Sequence, residues 1–162
     1  MGNIHTKSNN SYVFLDIDGV LNCSETRTED KQTHMPQEDL LNNLKNVSDN
    51  IPNLIIILSS TWRLTEKSRK LVDHYLNKIG LRVLDITSDK SLDASGDRPD
   101  EILEYIKINK LQNKPWIAID DMPMLDMNSK LKDINFCKTD DRYGFTYDKS
   151  LEVINKLILQ KQ

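Results

Sequence analysis

The sequence predicts an α/β fold in which a central, mostly parallel sheet carries helices on both faces. Two observations lead there. Short apolar runs alternate with longer segments whose apolar residues recur at helical spacing, the pattern of a doubly wound sheet. The strongest runs also end in an acid or a hydroxyl, and open parallel sheets bind ligands beyond those ends.

The elements follow in order. Residues 1–11 are polar and read as a flexible tail. Residues 12–17 form an apolar run that closes on the turn signal Asp18-Gly19, so they read as a buried strand. Residues 22–35 are a polar loop. Pro36 suits the first position of a helix, with Glu38 and Asp39 in its first turn and Leu40, Leu41, Leu44 and Val47 along one face. Residues 54–58, Leu-Ile-Ile-Ile-Leu, are apolar on both faces and belong in the middle of the sheet. Leu64, Leu71, Val72, Tyr75 and Ile79 trace the next helix, which Gly80 stops. A weaker third strand covers residues 82–86 and a polar loop residues 87–97. Pro99 opens a helix whose face is Ile102, Leu103, Ile106 and Leu111. Residues 116–119 are the fourth strand, and a short strand lies near 135–138. A last helix starts near Asp148 and carries Leu151, Ile154, Leu157 and Ile158. No repeat, low-complexity tract or linker interrupts the pattern, so residues 12–162 are expected to form one domain.

Composition narrows the function classes. Of 162 residues, 38% are hydrophobic and 29% charged, which suits an ordinary globular protein and not a disordered one. A net charge of −3 provides no basic field for holding nucleic acid non-specifically, though a nucleic-acid end remains open as a substrate. Cys23 and Cys137 match no metal spacing and no disulfide framework, pointing to reduced thiols and a cytoplasmic setting. The longest apolar run, residues 51–58, is too short to span a bilayer, and no secretion signal is expected. Residues 1–6 do fit the M-G-x-x-x-[ST] pattern, making Gly2 a candidate for N-myristoylation. One acyl chain would give only a weak peripheral anchor.

The chemistry gathers at the strand ends. Asp16 and Asp18 follow the first strand; Ser59, Ser60, Thr61, Trp62 and Arg63 the second; Asp120 and Asp121 the fourth. Either acid pair alone would read as a turn or a solvated loop. Together, four carboxylates at one sheet edge repel each other unless a cation neutralises them. Oxygen donors without histidine or cysteine partners select a hard ion, Mg²⁺, which keeps positions open for a substrate phosphate. Trp62 and Arg63 are candidates to stack on and pair with a nucleotide or sugar phosphate, against an equal alternative of core packing and a solvated charge. His5, His34 and His74 show no ligand spacing. The absence of G-x-x-x-x-G-K-[ST] excludes a P-loop enzyme.

Residues 14–20, Phe-Leu-Asp-Ile-Asp-Gly-Val, resemble the first motif of the haloacid dehalogenase (HAD) superfamily, hhhDxDGh. Leu58-Ser59-Ser60 resembles its second motif, and Arg98 before Pro99 its third, which needs only a basic residue; Lys90 is the second candidate for that position. Ile119-Asp120-Asp121 resembles the fourth. The resemblance covers residues 12 to about 160 and is nearest to the HAD domain of RNA-repair proteins and of phage- and virus-type chains. Ser60-Thr61-Trp62-Arg63, residues 97–102 and Gly144-Phe145-Thr146 carry that likeness.

The resemblance implies a three-layer Rossmann-like fold and a mechanism. Asp16 would be the nucleophile that carries an aspartyl-phosphate, and Asp18 the general acid and then base. Mg²⁺ would be held by the Asp16 side chain, the Asp18 backbone carbonyl and Asp121, with Asp120 assisting. Ser59 or Ser60 would bind the phosphoryl group and Arg98 would offset its charge. The gaps between motifs leave no room for a cap domain, so an open site is expected. The favoured reading is a phosphate-monoester hydrolase acting on a nucleotide or a phosphorylated nucleic-acid end. The alternatives are a sugar phosphate or phosphoprotein substrate, or a catalytically silent binding module.

Overall fold

The five apolar segments become strands β1 (Ser11–Leu15), β2 (Leu54–Leu58), β3 (Val83–Ile86), β4 (Trp116–Asp120) and β5 (Phe136–Lys138). The structure is a computed structural model that describes residues 9–25, 34–90 and 97–162. The strands form one sheet in the order β3-β2-β1-β4-β5, and every pairing is parallel. The chain therefore winds outward from β1 to one side, then returns to place β4 on its other side. Strand order reverses at β1, which puts the switch point between β1 and β4.

Side-chain alternation along each strand divides the core in two. Val13, Leu15, Ile56, Leu58, Ile117 and Ile119 point to one face. There they meet α1 (Glu38–Asn50), α2 (Glu66–Asn77) and α5 (Tyr147–Leu159) through Leu44, Leu76 and Leu157. Tyr12, Phe14, Ile57 and Ala118 point to the other, against α3 (Arg98–Ile108) and the one-turn α4 (Met124–Met127). The result is the expected three-layer α/β architecture. Among the described residues, no helix is long and apolar enough to cross a membrane.

Several boundaries differ from the sequence reading. β1 begins at Ser11, which is buried and whose amide donates to the Asn53 carbonyl, so the strand takes in the last residue assigned to the tail and starts one residue earlier than expected. Pro36 is not the first residue of α1: the helix starts at Glu38 with Gln37 as its N-cap, and Pro36 lies outside it. The helix expected to include Leu64 is broken. Thr61–Leu64 is a 3₁₀ turn, and the Thr65 hydroxyl accepts from the Ser68 amide to cap α2 as a separate helix. Leu64 is consequently exposed. Helix α3 starts at Arg98, capped by the Asp97 carboxylate accepting from the Asp100 amide. The turn α4 was not expected, being too short to show a period. Residues 1–8, including Gly2, lie outside the described residues, as do residues 26–33 and 91–96.

Candidate active site

At the carboxyl edge of the sheet, backbone hydrogen bonds carry the parallel ladder one residue past the strand ends. The amide of Asp16 donates to the Ile119 carbonyl at 3.1 Å, and that of Ser59 to Leu15 at 2.9 Å. The amide of Thr87 donates to Leu58, and that of Thr139 to the Asp120 carbonyl. These bonds fix the first residue after each strand against its neighbour. Since Leu15 pairs with Ile119, Asp16 and Asp120 stand side by side. Carboxylate oxygens of Asp16, Asp120 and Asp121 all lie within 4.8 Å of one another. Gly19 lets Asp121 in: it turns the chain at φ +77°, and its Cα hydrogen faces the Asp121 carboxylate.

Arg98, the first residue of α3, reaches into this cluster. Its Nη1 donates to Asp120 Oδ2 at 2.8 Å and lies 3.2 Å from Asp16 Oδ2. The other Asp120 oxygen accepts from the Met122 amide at 2.9 Å. Both oxygens of Asp120 are thus engaged by the protein, and at 1% exposure it is the most deeply placed acid of the three. Burial, then repulsion from Asp120, pushes Asp16 up to about 7, against the opposing pull of Arg98, the Ile17 amide and Ser60. Asp121 is raised for the same two reasons, burial first. Burial alone would lower Arg98, but Asp120 and Asp16 reverse this and raise it.

The serine pair divides. Ser60 hydrogen-bonds Asp16, and its Oγ accepts from the Trp62 amide at 3.3 Å. The Ser59 hydroxyl is buried without a partner among the described residues, a capacity that a ligand oxygen can fill. Asp18 stands on the exposed side of the turn, apart from the three-acid cluster. Its Oδ1 accepts from Asn22 Nδ2 at 2.9 Å and its Oδ2 from Trp62 Nε1 at 3.0 Å. Lys90 pairs with Glu104 at 2.8 Å, so Arg98 is the base that meets Asp16.

The expectation for Arg63 needs correction. Its guanidinium is buried, donating to the carbonyls of Ser60, Thr87 and Ser88 and pairing with Glu101 at 2.9 Å. Every nitrogen of the guanidinium thus makes at least one bond to the fold, in place of the solvated charge that was the alternative reading. The sequence reading also missed two residues. Asn22 is fully buried and accepts from the Gly19 amide while donating to Asp18 and His34. The Thr139 hydroxyl donates to the Gly19 carbonyl at 2.8 Å. Asn22 lies in the loop past the first motif, where no local pattern marks it, whereas Thr139 directly follows the short fifth strand and the strand-end rule could have found it.

The donor set suits a hard divalent cation. Among the described residues three carboxylates converge without histidine or cysteine, two of them carry raised pKa values, and a cation would relieve their mutual repulsion. An all-parallel sheet that gathers acids from β1 and β4 at its switch point makes the chain a Rossmann-like α/β protein with an acidic site. The sequence profile of the HAD domain in Swiss Army Knife RNA repair proteins matches residues 12–149, and the chain belongs to that family. Neither a curated protein nor a solved structure matches it significantly.

Proposed function

We propose that the chain is a Mg²⁺-dependent phosphohydrolase that cleaves phosphate monoesters through an aspartyl-phosphate on Asp16. The observation that carries this reading is the convergence of Asp16, Asp120 and Asp121 within 4.8 Å, with Arg98 bridging the first two.

In the proposed cycle a carboxylate oxygen of Asp16 attacks phosphorus while the bond to the leaving oxygen breaks. Asp18 gives that oxygen its proton. Asp18, now ionised, takes a proton from water; the water oxygen attacks phosphorus, and the Asp16–phosphorus bond breaks to release inorganic phosphate. Arg98 offsets charge on the phosphoryl oxygens and orients Asp16. The unpartnered Ser59 hydroxyl contacts the phosphoryl group, and Ser60 steadies the nucleophile it bonds. Asp16 and Asp121 would hold Mg²⁺ by their side chains and Asp18 by its carbonyl, with Asp120 behind them. The ion would supply charge neutralisation for a dianionic substrate.

The favoured substrate is a nucleotide or a phosphorylated nucleic-acid end. The family's description as a domain of RNA-repair proteins supports this choice. The test is turnover of p-nitrophenyl phosphate with Mg²⁺, abolished in Asp16→Asn. A panel of 3′- and 5′-phosphorylated oligonucleotides, sugar phosphates and a phosphopeptide then ranks substrates. Activity on none of them would leave a HAD fold used only for binding.

A further inference from the structure

Asp18 is exposed, yet its carboxylate is held at both oxygens. On Oδ1 the donor is Asn22 Nδ2, part of a side chain with no solvent exposure. Asn22 uses its whole amide: Oδ1 accepts from the Gly19 amide at 3.1 Å, and Nδ2 also donates to the His34 carbonyl at 2.8 Å. That half of the grip is built into the turn after β1. On Oδ2 the donor is the indole N–H of Trp62, 44 residues away in the chain.

Trp62 is itself anchored three ways. Its ring packs on the core face shared by α1, α2 and α5, and its backbone amide is capped by Ser60 Oγ. The indole N–H is the third anchor. The segment 60–62 therefore touches both acids of the first motif: Ser60 bonds Asp16, and Trp62 bonds Asp18. Hydrogen bonds at a wet surface contribute little net stability, because water offers equivalent partners. Their consequence here is orientation. They restrict an exposed carboxylate to one rotamer, the condition under which a positioned group transfers a proton efficiently.

We infer that Trp62 is a positioning residue, which holds Asp18 against the fixed Asn22 amide so that Asp18 can protonate the leaving oxygen. The inference rests on the phosphohydrolase reading above. It replaces the stacking role expected for Trp62 with one directed at the acid. In the step affected, the phosphorus–oxygen bond breaks with its electron pair going to the leaving oxygen, which takes the proton from Asp18.

The experiment compares Trp62→Phe with the unaltered chain on two Mg²⁺-supported substrates. Benzyl phosphate releases an alkoxide that needs the proton; 2,4-dinitrophenyl phosphate releases a phenolate that does not. The value of kcat/KM should fall about tenfold on benzyl phosphate and stay within about twofold on the dinitrophenyl ester, a fraction of what a general acid contributes. An equal fall on both substrates, or no fall on either, overturns the inference. Should Trp62→Phe not fold, benzothienylalanine at position 62 keeps the ring shape, removes only the N–H and must give the same split. Failure of the unaltered chain to cleave the dinitrophenyl ester, or undiminished cleavage by Asp16→Asn, would instead sink the phosphohydrolase reading, and this inference with it.

Discussion

A Cβ placed on Gly19 would lie 2.4 Å from Oδ2 of Asp121, closer than any real contact allows. The turn that follows the first strand and the acid that follows the fourth are therefore shaped to each other. Gly19→Ala must shift Asp121 and must also hold an L-residue at φ +77°. The strain costs about 1–2 kcal/mol. Thermal unfolding should show that loss, and the stabilisation by Mg²⁺ that the proposed site predicts for the parent chain should shrink or vanish. A variant with unchanged Mg²⁺ response would show that Asp121 does not hold the ion.

Arg98 is the only base among the described residues found paired with Asp16. Arg98→Gln should reduce turnover of p-nitrophenyl phosphate by roughly 10²-fold, the scale for removing one preorganised charge-stabilising donor. Lys90→Gln should stay near the parent rate, since Lys90 pairs with Glu104. Steady-state kinetics on both variants separates the two bases.

The raised pKa of Asp16, about 7, gives a pH signature with a definite sign. An acid whose folded pKa lies above its unfolded value, about 4, stabilises the fold at low pH. That contribution is fully present below about 4 and is lost as pH rises through about 7. Metal must displace the proton, so Mg²⁺ should raise Tm more at pH 8 than at pH 5.5. Thermal scans with and without Mg²⁺ at the two values check this; equal shifts would contradict it.

Arg63 and Glu101 form a buried pair at 2.9 Å. Arg63→Met leaves the Glu101 carboxylate buried without its charge partner, a loss of about 3–5 kcal/mol in urea unfolding. Below its melting range the variant should keep near-parent kcat and KM. A large change in KM with unchanged stability would return Arg63 to the substrate.

Much of the arrangement was legible in the chain because a parallel sheet presents its strand ends at one edge. The apolar runs that become β1, β2 and β4 mark where the polar residues must emerge, so Asp16, Ser59 and Asp120 could be grouped before any coordinates. Arg98 could be named as a candidate because it stands one residue before Pro99, which opens a helix, and resembles a motif that needs only a basic residue; the Asp97 cap emerged only in the structure. The 3₁₀ turn and α4 escaped notice, since neither is long enough to show a period.

The sequence by itself determined the layered α/β fold, the acids at its carboxyl edge and the family, because alternation and turn signals are local properties. Only the tertiary structure decided how those groups share their hydrogen bonds. It buried Arg63 against Glu101, gave both oxygens of Asp120 to Met122 and Arg98, and left Ser59 unpartnered. It also brought Trp62 and Asn22 to the two oxygens of Asp18. Three of these partnerships, Trp62 with Asp18, Arg63 with Glu101 and Arg98 with Asp120, join residues 44, 38 and 22 positions apart, and a side chain's role follows from which donor reaches it in space, which no local pattern encodes.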